Sequence, residues 1–276
     1  MPHRPIITLT TDFGINDHFV GAMKGVILEI VPEAEIVDIS HAVQAFDVLD
    51  GALAISQAYS YFPNGTVHVV VVDPGVGTER RPILASSDGF HFVAPDNGVL
   101  SLVYAKEERI RVRHITAEHY FRQPVSNTFH ARDVFAPVAA YLAKMVDSDK
   151  FGDEIEDYVR FAAPRAKAVG ENRLRGVVLK VDRFGNLITN VAPEDAPALF
   201  AAPPGAFKIV VGNREITAIR TAYAEGAAGE VFGILGSMGY LEIVANRAGA
   251  AQITGAAKGS EVNILLGEAA AAGKGA

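Results

Sequence analysis

The chain has 276 residues, no cysteine, and 32 acidic against 25 basic side chains, for a formal charge of −7. The missing cysteines exclude disulfides, thiolate metal ligands and cysteine nucleophiles. With no long basic run and no aromatics set among Lys and Arg, nothing points to a nucleic-acid surface. At 49% hydrophobic residues the chain can bury a sizeable core, yet no apolar stretch reaches membrane-spanning length. The opening MPHRPIITLT runs straight into a strand pattern without a leader's apolar region. The expectation is a soluble, cytoplasmic protein without a membrane or nucleic-acid partner.

In chain order, Ile6–Thr11 reads as a strand ending at Thr11-Asp12-Phe13-Gly14. Phe19, Val20, Met23, Val26, Ile27 and Ile30 recur at helical spacing, with Asp17 placed to cap that helix and Pro32 to end it. A strand over 35–39 and a helix over 47–62 follow, broken at Pro63-Asn64-Gly65. Val67–Val72 is an apolar run interrupted only by His68, which predicts a strand buried on both faces. It stops at Asp73-Pro74-Gly75, so a carboxylate sits at the edge where open α/β sheets bind ligands. A glycine-bearing loop leads on to Glu79, Arg80 and Arg81. Strands 83–86 and 90–94 predict a hairpin at Asp88-Gly89, followed by the turn Pro95-Asp96-Asn97-Gly98, a short helix from Val99 and a strand over 109–115. Asn127–Asp133 leads into a helical pattern over 134–145.

Alternating strand and helix predicts an N-terminal α/β domain with a mainly parallel central sheet flanked by helices. Residues 147–172 are polar and loop-like. Beyond them the pattern turns to period two, with short strands at 176–181, 207–211, 230–235, 241–245 and 262–266, which predicts a smaller all-β barrel or sandwich. The expected boundaries are an N-terminal domain over 1–160, a linker over 161–175, a barrel over 176–267 and a fraying Ala/Gly tail over 268–276. Asp195–Pro204 reads as a loop.

Candidate residues each carry a plain and a chemical reading. Asp12 is a turn former or an acceptor for the two hydroxyls of a ribose. His130 is a satisfied half-buried histidine unless a carboxylate lies in reach. Arg80 and Arg81 are a solvated pair or part of a site. Asp182-Arg183-Phe184-Gly185-Asn186 is a hairpin turn, or an Asp for an ammonium group and an Asn amide for a base edge. Ser237–Glu242 is a turn into a strand or a binding segment. The histidines show no close ligand spacing, which argues against a metal site, and Gly75-Val76-Gly77 lacks the pattern of a phosphate loop.

Taken together these stretches resemble the S-adenosylmethionine (SAM) hydrolases, or SAM hydroxide adenosyltransferases, relatives of the fluorinases and chlorinases. The resemblance is carried by TTDFG at 10–14, DHFVGAMKGVI at 17–27, DPGVGTER at 73–80 and APDNG at 94–98. It continues through TFHARD at 128–133, DRFGNLITN at 182–190 and GSMGYLEIVAN at 236–246, and so covers nearly the whole chain. It implies a homotrimer with active sites between subunits, and an Asp-Arg-His triad of Asp73, Arg80 and His130. It implies a substrate-binding set of Asp12, Phe46, Asp182, Phe184, Asn186, Ser237, Tyr240 and Glu242, with no cofactor and no metal. The reaction implied is attack of water at ribose C5′, giving adenosine and L-methionine, with the off-epimer at sulfur a candidate substrate. The readings held beside it are a SAM- or adenosine-binding protein without turnover, and a chlorinase. Ala131 and Met238 depart from relatives; the Ala131 methyl is expected to narrow the site.

Overall fold

The computed structural model describes residues 4–201, 203 and 206–267. The chain divides into two compact units, Met1–Ala163 and Pro164–Ala276. The first unit contains β1 (Ile6–Thr11), α1 (Phe19–Ile30), β2 (Glu35–Ser40), α2 (Val48–Ala58), β3 (Val67–Val71), β4 (Pro82–Ser87) and β5 (His91–Pro95). It continues with α3 (Ser101–Tyr104), β6 (Ile110–His114), α4 (Ala136–Ala143) and β7 (Glu154–Ile155). The sheet order is β2-β1-β3-β5-β4-β6-β7. The first four strands are parallel and the last three pair antiparallel, so the parallel part is the core of the sheet rather than all of it.

Alternation within β3 sorts the core. Val67, Val69 and Val71 face one way, with Met23 and Ile27 of α1 and Val138 and Leu142 of α4. Val70 and Val72 face the other, with Ile55 of α2, Val103 of α3 and Phe92. His68 lies on this second side, fully buried, its Nδ1 2.7 Å from Thr8 Oγ1 and its ring stacked on Phe92.

The structure departs from the sequence reading in several places. Asp17 does not cap α1: residues 15–18 form exposed bends, and the helix starts after His18 without a side-chain cap bond. Asp47 does cap α2, accepting from Asp50 N–H at 3.1 Å. The helix expected over 134–145 begins as a wider π-helical turn, Ala131–Phe135, before α4. Residues 147–172 are not all loop, since β7 adds to the sheet edge. Ala131 is 2% exposed within the core, so its methyl packs inward.

The second unit contains β8 (Lys167–Ala168), β9 (Arg173–Val181), β10 (Leu187–Thr189), α5 (Pro197–Ala201), β11 (Phe207–Val211), β12 (Arg214–Ile216) and β13 (Ile219–Arg220). After these come β14 (Val231–Leu235), β15 (Leu241–Ala245), α6 (Ala250–Thr254) and β16 (Glu261–Leu266). The order β12-β11-β16-β9-β10-β15-β14-β13 makes one curled sheet, with β9 long enough to pair with β16 along its first half and β10 along its second. Part of the expected 195–204 loop is helical instead: Leu199 is fully buried and anchors α5. The tail expected to fray, 268–276, lies outside the described residues.

Candidate active site

In the first unit the site is built at the carboxyl ends of β1 and β3, which are paired neighbours, Thr11 opposite Val71. Asp12 and Asp73 therefore emerge at the same sheet edge. Asp12 Oδ2 accepts the N–H of Phe46 at 2.8 Å. That bond holds Phe46 in a left-handed conformation, φ 66°, which a bulky residue adopts only under constraint, and leaves its ring 74% exposed.

Asp73 lies under the fork of Arg80. Arg80 Nε donates to Oδ1 at 3.0 Å and to Oδ2 at 2.9 Å, and Nη2 donates to Oδ2 as well. The same Nη2 is 2.9 Å from His130 Nδ1. The two side chains of the ion pair are 9% and 5% exposed, so water screens it little. Phe135, from the wide turn, lies beneath the guanidinium with its ring centre 5.2 Å from Cζ. Arg80 Nη1 is buried without a hydrogen-bond partner. A glycine-dependent contact brings these pieces together. Gly77, φ 76°, passes so close to the 126–130 segment that a methyl would stand 2.2 Å from Asn127 O. That segment is tied down by fully buried Asp133, which accepts from Ser126 N–H at 2.9 Å.

The chemistry of this cluster follows from its donors. A guanidinium only donates, so His130 Nδ1 must be the acceptor and the ring proton must sit on Nε2. Burial, and then the Arg80 charge, push His130 below the ordinary histidine value, against the opposing pull of Asp73 and Asp133. The result is a neutral imidazole that offers an N–H, and a carboxylate fixed by its cation.

In the second unit, Asp182–Asn186 joins β9 to β10 as a hairpin. Asp182 Oδ1 accepts the N–H of Phe184 and of Asn186, both at 2.8 Å, and Oδ2 accepts Asn186 Nδ2 at 2.8 Å. Asn186 thereby keeps its side-chain carbonyl oxygen and one Nδ2 hydrogen to offer. Beside this turn is a cavity of about 590 Å³ lined by Phe184, Asn186, Tyr223, Asn246, Arg247 and Gly249 among others. Glu242 is 5% exposed, and burial followed by the Asp182 charge raises its carboxyl. Its carboxylate occupies the space a side chain at Gly236 would need, 1.9 Å from such a Cβ. Ser237 is exposed in the adjoining turn and Tyr240 half-buried; neither lines the cavity.

The structure thus brings together Asp73, Arg80 and His130, places Asp12 against Phe46, and sets Asp182, Asn186 and Glu242 in one neighbourhood. Sequence reasoning missed Tyr223, Asn246 as a lining residue, and Arg247, which is left-handed with φ 56°. Arg247 directly follows the 236–246 segment, but nothing in linear spacing marks Tyr223. Among the described residues no group of three or more His, Asp or Glu side chains is placed to hold a metal ion.

The comparisons agree along the chain. The SAM hydroxide adenosyltransferase N-terminal domain matches residues 7–152 and the corresponding C-terminal domain residues 176–263. The chain is similar to the (R)-S-adenosyl-L-methionine hydrolase of Methanocaldococcus jannaschii, 41% identical over 69% of this chain and 68% of that one. It is 37% identical to the (R)-S-adenosyl-L-methionine hydrolase of Thermus thermophilus, over 95% of this chain and all of that one. Its fold is similar to the crystal structure of an uncharacterized conserved protein from Thermotoga maritima, with a TM-score of 0.86 at 35% identity, covering 94% of this chain and 99% of the other.

Proposed function

The chain belongs to the SAM hydroxide adenosyltransferase family, and from that premise we propose that it hydrolyses the (R)-sulfonium epimer of S-adenosyl-L-methionine to adenosine and L-methionine. The observation that carries this is the Arg80 fork, which holds Asp73 on one side and His130 Nδ1 on the other. Water attacks ribose C5′ in line, the C5′–S bond breaks, and its electron pair returns to sulfur as a neutral thioether leaves. The leaving group is good enough that alignment and partial desolvation of the water do most of the catalysis, and no cofactor beyond the substrate is needed. Asp73 Oδ1 receives one of Arg80's bonds where Oδ2 receives two, and so has a lone pair to accept the water's proton. His130 Nε2–H and Arg80 Nη1 supply donors for developing hydroxide character.

The remaining roles follow from shape and charge. Asp12 takes the ribose hydroxyls, with the exposed Phe46 ring covering the sugar. The second-unit cavity takes adenine between the Phe184 and Tyr223 rings, with Asn186 Oδ1 accepting from its amino group. Asp182 and Glu242 attract the α-ammonium, beside Ser237 and Tyr240. Ile15, Phe46 and Phe184, 85%, 74% and 78% exposed, leave apolar surface bare at the candidate residues of both units. This supports a homotrimer with active sites shared between subunits. We place the protein in the cytoplasm, whose reducing conditions fit a sequence without cysteine; no helix among the described residues is long and apolar enough to cross a membrane.

The test is incubation of the protein with each separated sulfonium epimer in ¹⁸O-water, with adenosine and methionine followed by chromatography and mass spectrometry. The expected result is adenosine carrying ¹⁸O at its 5′ hydroxyl, formed faster from the (R) epimer. Binding without turnover, or 5′-chloro-5′-deoxyadenosine formed in chloride, would refute hydrolysis. Light scattering that shows a catalytically active monomer would refute the shared sites.

A further inference from the structure

The loop that carries Asp73 and Arg80 is gripped at both ends by two adjacent residues of another loop. At its start, Asn97 Nδ2 donates to the carbonyl of Val72 at 2.8 Å. Asn97 Oδ1 accepts Val99 N–H at 3.1 Å, which fixes the orientation of the amide. On this side the backbone ladder between β3 and β5 stops at Val69 opposite Val93. A side chain thus supplies the bond that the ladder no longer makes at the strand's end. At the other end of the loop, Asp96 N–H donates to the carbonyl of Arg81 at 2.9 Å. Asp96 Oδ2 accepts Arg81 Nε and Nη2 at 2.9 and 2.7 Å. Asp96 is 6% exposed, and its second oxygen accepts Val159 N–H at 2.7 Å, so the grip is itself anchored. Gly98 makes the turn possible: it has φ 92°, and a methyl there would stand 2.9 Å from the Phe161 ring.

Resting on the hydrolase reading, we propose that Asp96 and Asn97 are positioning residues of the hydrolytic centre. They set the placement of Asp73 against Arg80 by fixing the residues on either side, Val72 and Arg81. Neither bonds to the Asp73 carboxylate, to the Arg80 guanidinium or to His130. Their effect reaches the reaction through the geometry of the pair, and through Arg80 to the imidazole it donates to. A loop with two glycines and eight residues between its anchors has the freedom to splay. Holding both ends from one rigid turn removes that freedom before substrate arrives.

The test uses Asn97→Asp, which keeps shape but loses the donor to Val72, and Asp96→Asn, which keeps shape but loses the charge facing Arg81. Each should lower kcat by about 10- to 10²-fold, the scale of an ångström-level misplacement, with KM within about twofold of wild type. In an Asp73→Asn background Asn97→Asp should cost nothing further, since the pair it positions is already lost. A second readout is independent of turnover. The ring ¹⁵N signals of His130, assigned with His130→Gln, should move in Asn97→Asp as the Arg80 contact loosens. Full kcat with an unchanged His130 spectrum would overturn the proposal. So would equal losses in both backgrounds, which would mean support of the fold alone. A wild type inactive on both epimers would overturn the hydrolase reading only, and the His130 spectrum would then decide the positioning role. If Asn97→Asp fails to fold, Asp96→Asn carries both measurements.

Discussion

Replacing Arg80 by Lys keeps the charge and removes the fork. Arg80 makes four hydrogen bonds from two nitrogens, three to Asp73 and one to His130, and lies over Phe135. An ammonium has one nitrogen where the fork uses two, so it cannot keep the Nε bonds to both carboxylate oxygens together with the Nη2 bonds to Oδ2 and His130. It recovers part of the Asp73 attraction and loses the His130 contact. One charge-assisted bond is worth roughly 1.5–3 kcal/mol, so the chemical step should slow about 10- to 10²-fold. Single-turnover adenosine formation at saturating SAM reads that step, and calorimetry reads adenosine affinity, which should stay within about twofold. A single-turnover rate within about threefold of wild type would show that the fork is not needed for the chemistry. An adenosine affinity that collapses while the chemical step stays fast would show that the triad binds rather than activates.

Three other outcomes follow from the same geometry. Protonating His130 puts a proton on Nδ1 facing the Arg80 cation, so the acid limb of kcat should have its midpoint below the ordinary 6.5; a midpoint above that value refutes the assignment of Nδ1 as acceptor. Asp12→Ala removes the proposed ribose acceptor and also the bond to Phe46 N–H, so calorimetry should show adenosine binding weakened by roughly ten- to a hundredfold; an unchanged constant would leave Asp12 a turn residue. Burial holds His68 neutral, its value pushed down to about 3, whereas the unfolded chain protonates it from 6.5 downward. Its contribution is intact above 6.5 and is lost as pH falls from there toward 3, by up to about 1.4 kcal/mol per pH unit. Denaturation at pH 7 and pH 5 should therefore show a steeper acid loss for wild type than for His68→Phe, and equal slopes would contradict it.

Much of this was legible in the chain because it is written locally. The run Val67–Val72 stopping at Asp73-Pro74-Gly75 marks both the strand and the carboxylate at its end, and the seven-residue return to Arg80 needs only a pliable loop. His130 is different. It lies 50 residues beyond Arg80, and only α4 packing on β3 brings it there, so its partner came from the family resemblance and not from spacing. The left-handed Phe46 could not be foreseen, because the bond that enforces it comes from Asp12, 34 residues away. Tyr223 and Arg247 escaped notice for a like reason: the curl of the second sheet gathers them with Phe184 around one cavity. Asp17 shows the opposite error, a good local capping residue overruled by bends that send the chain past it.

The wide turn at Ala131–Phe135 bears on how this helix tolerates insertion and deletion. Its closing bond runs from Ala136 N–H back to Ala131 O, five positions rather than four, so the segment carries a surplus residue over a regular helix. Removing one residue would restore an ordinary ladder and the better hydrogen bonds that come with it. The same edit would rotate everything before it by about 100° relative to α4. His130 would swing off Arg80 while Val138 and Leu142 kept their places in the core. A one-residue gap at this point in an alignment would therefore be more informative than any single substitution nearby, because it would mark a chain that kept the fold and gave up the triad.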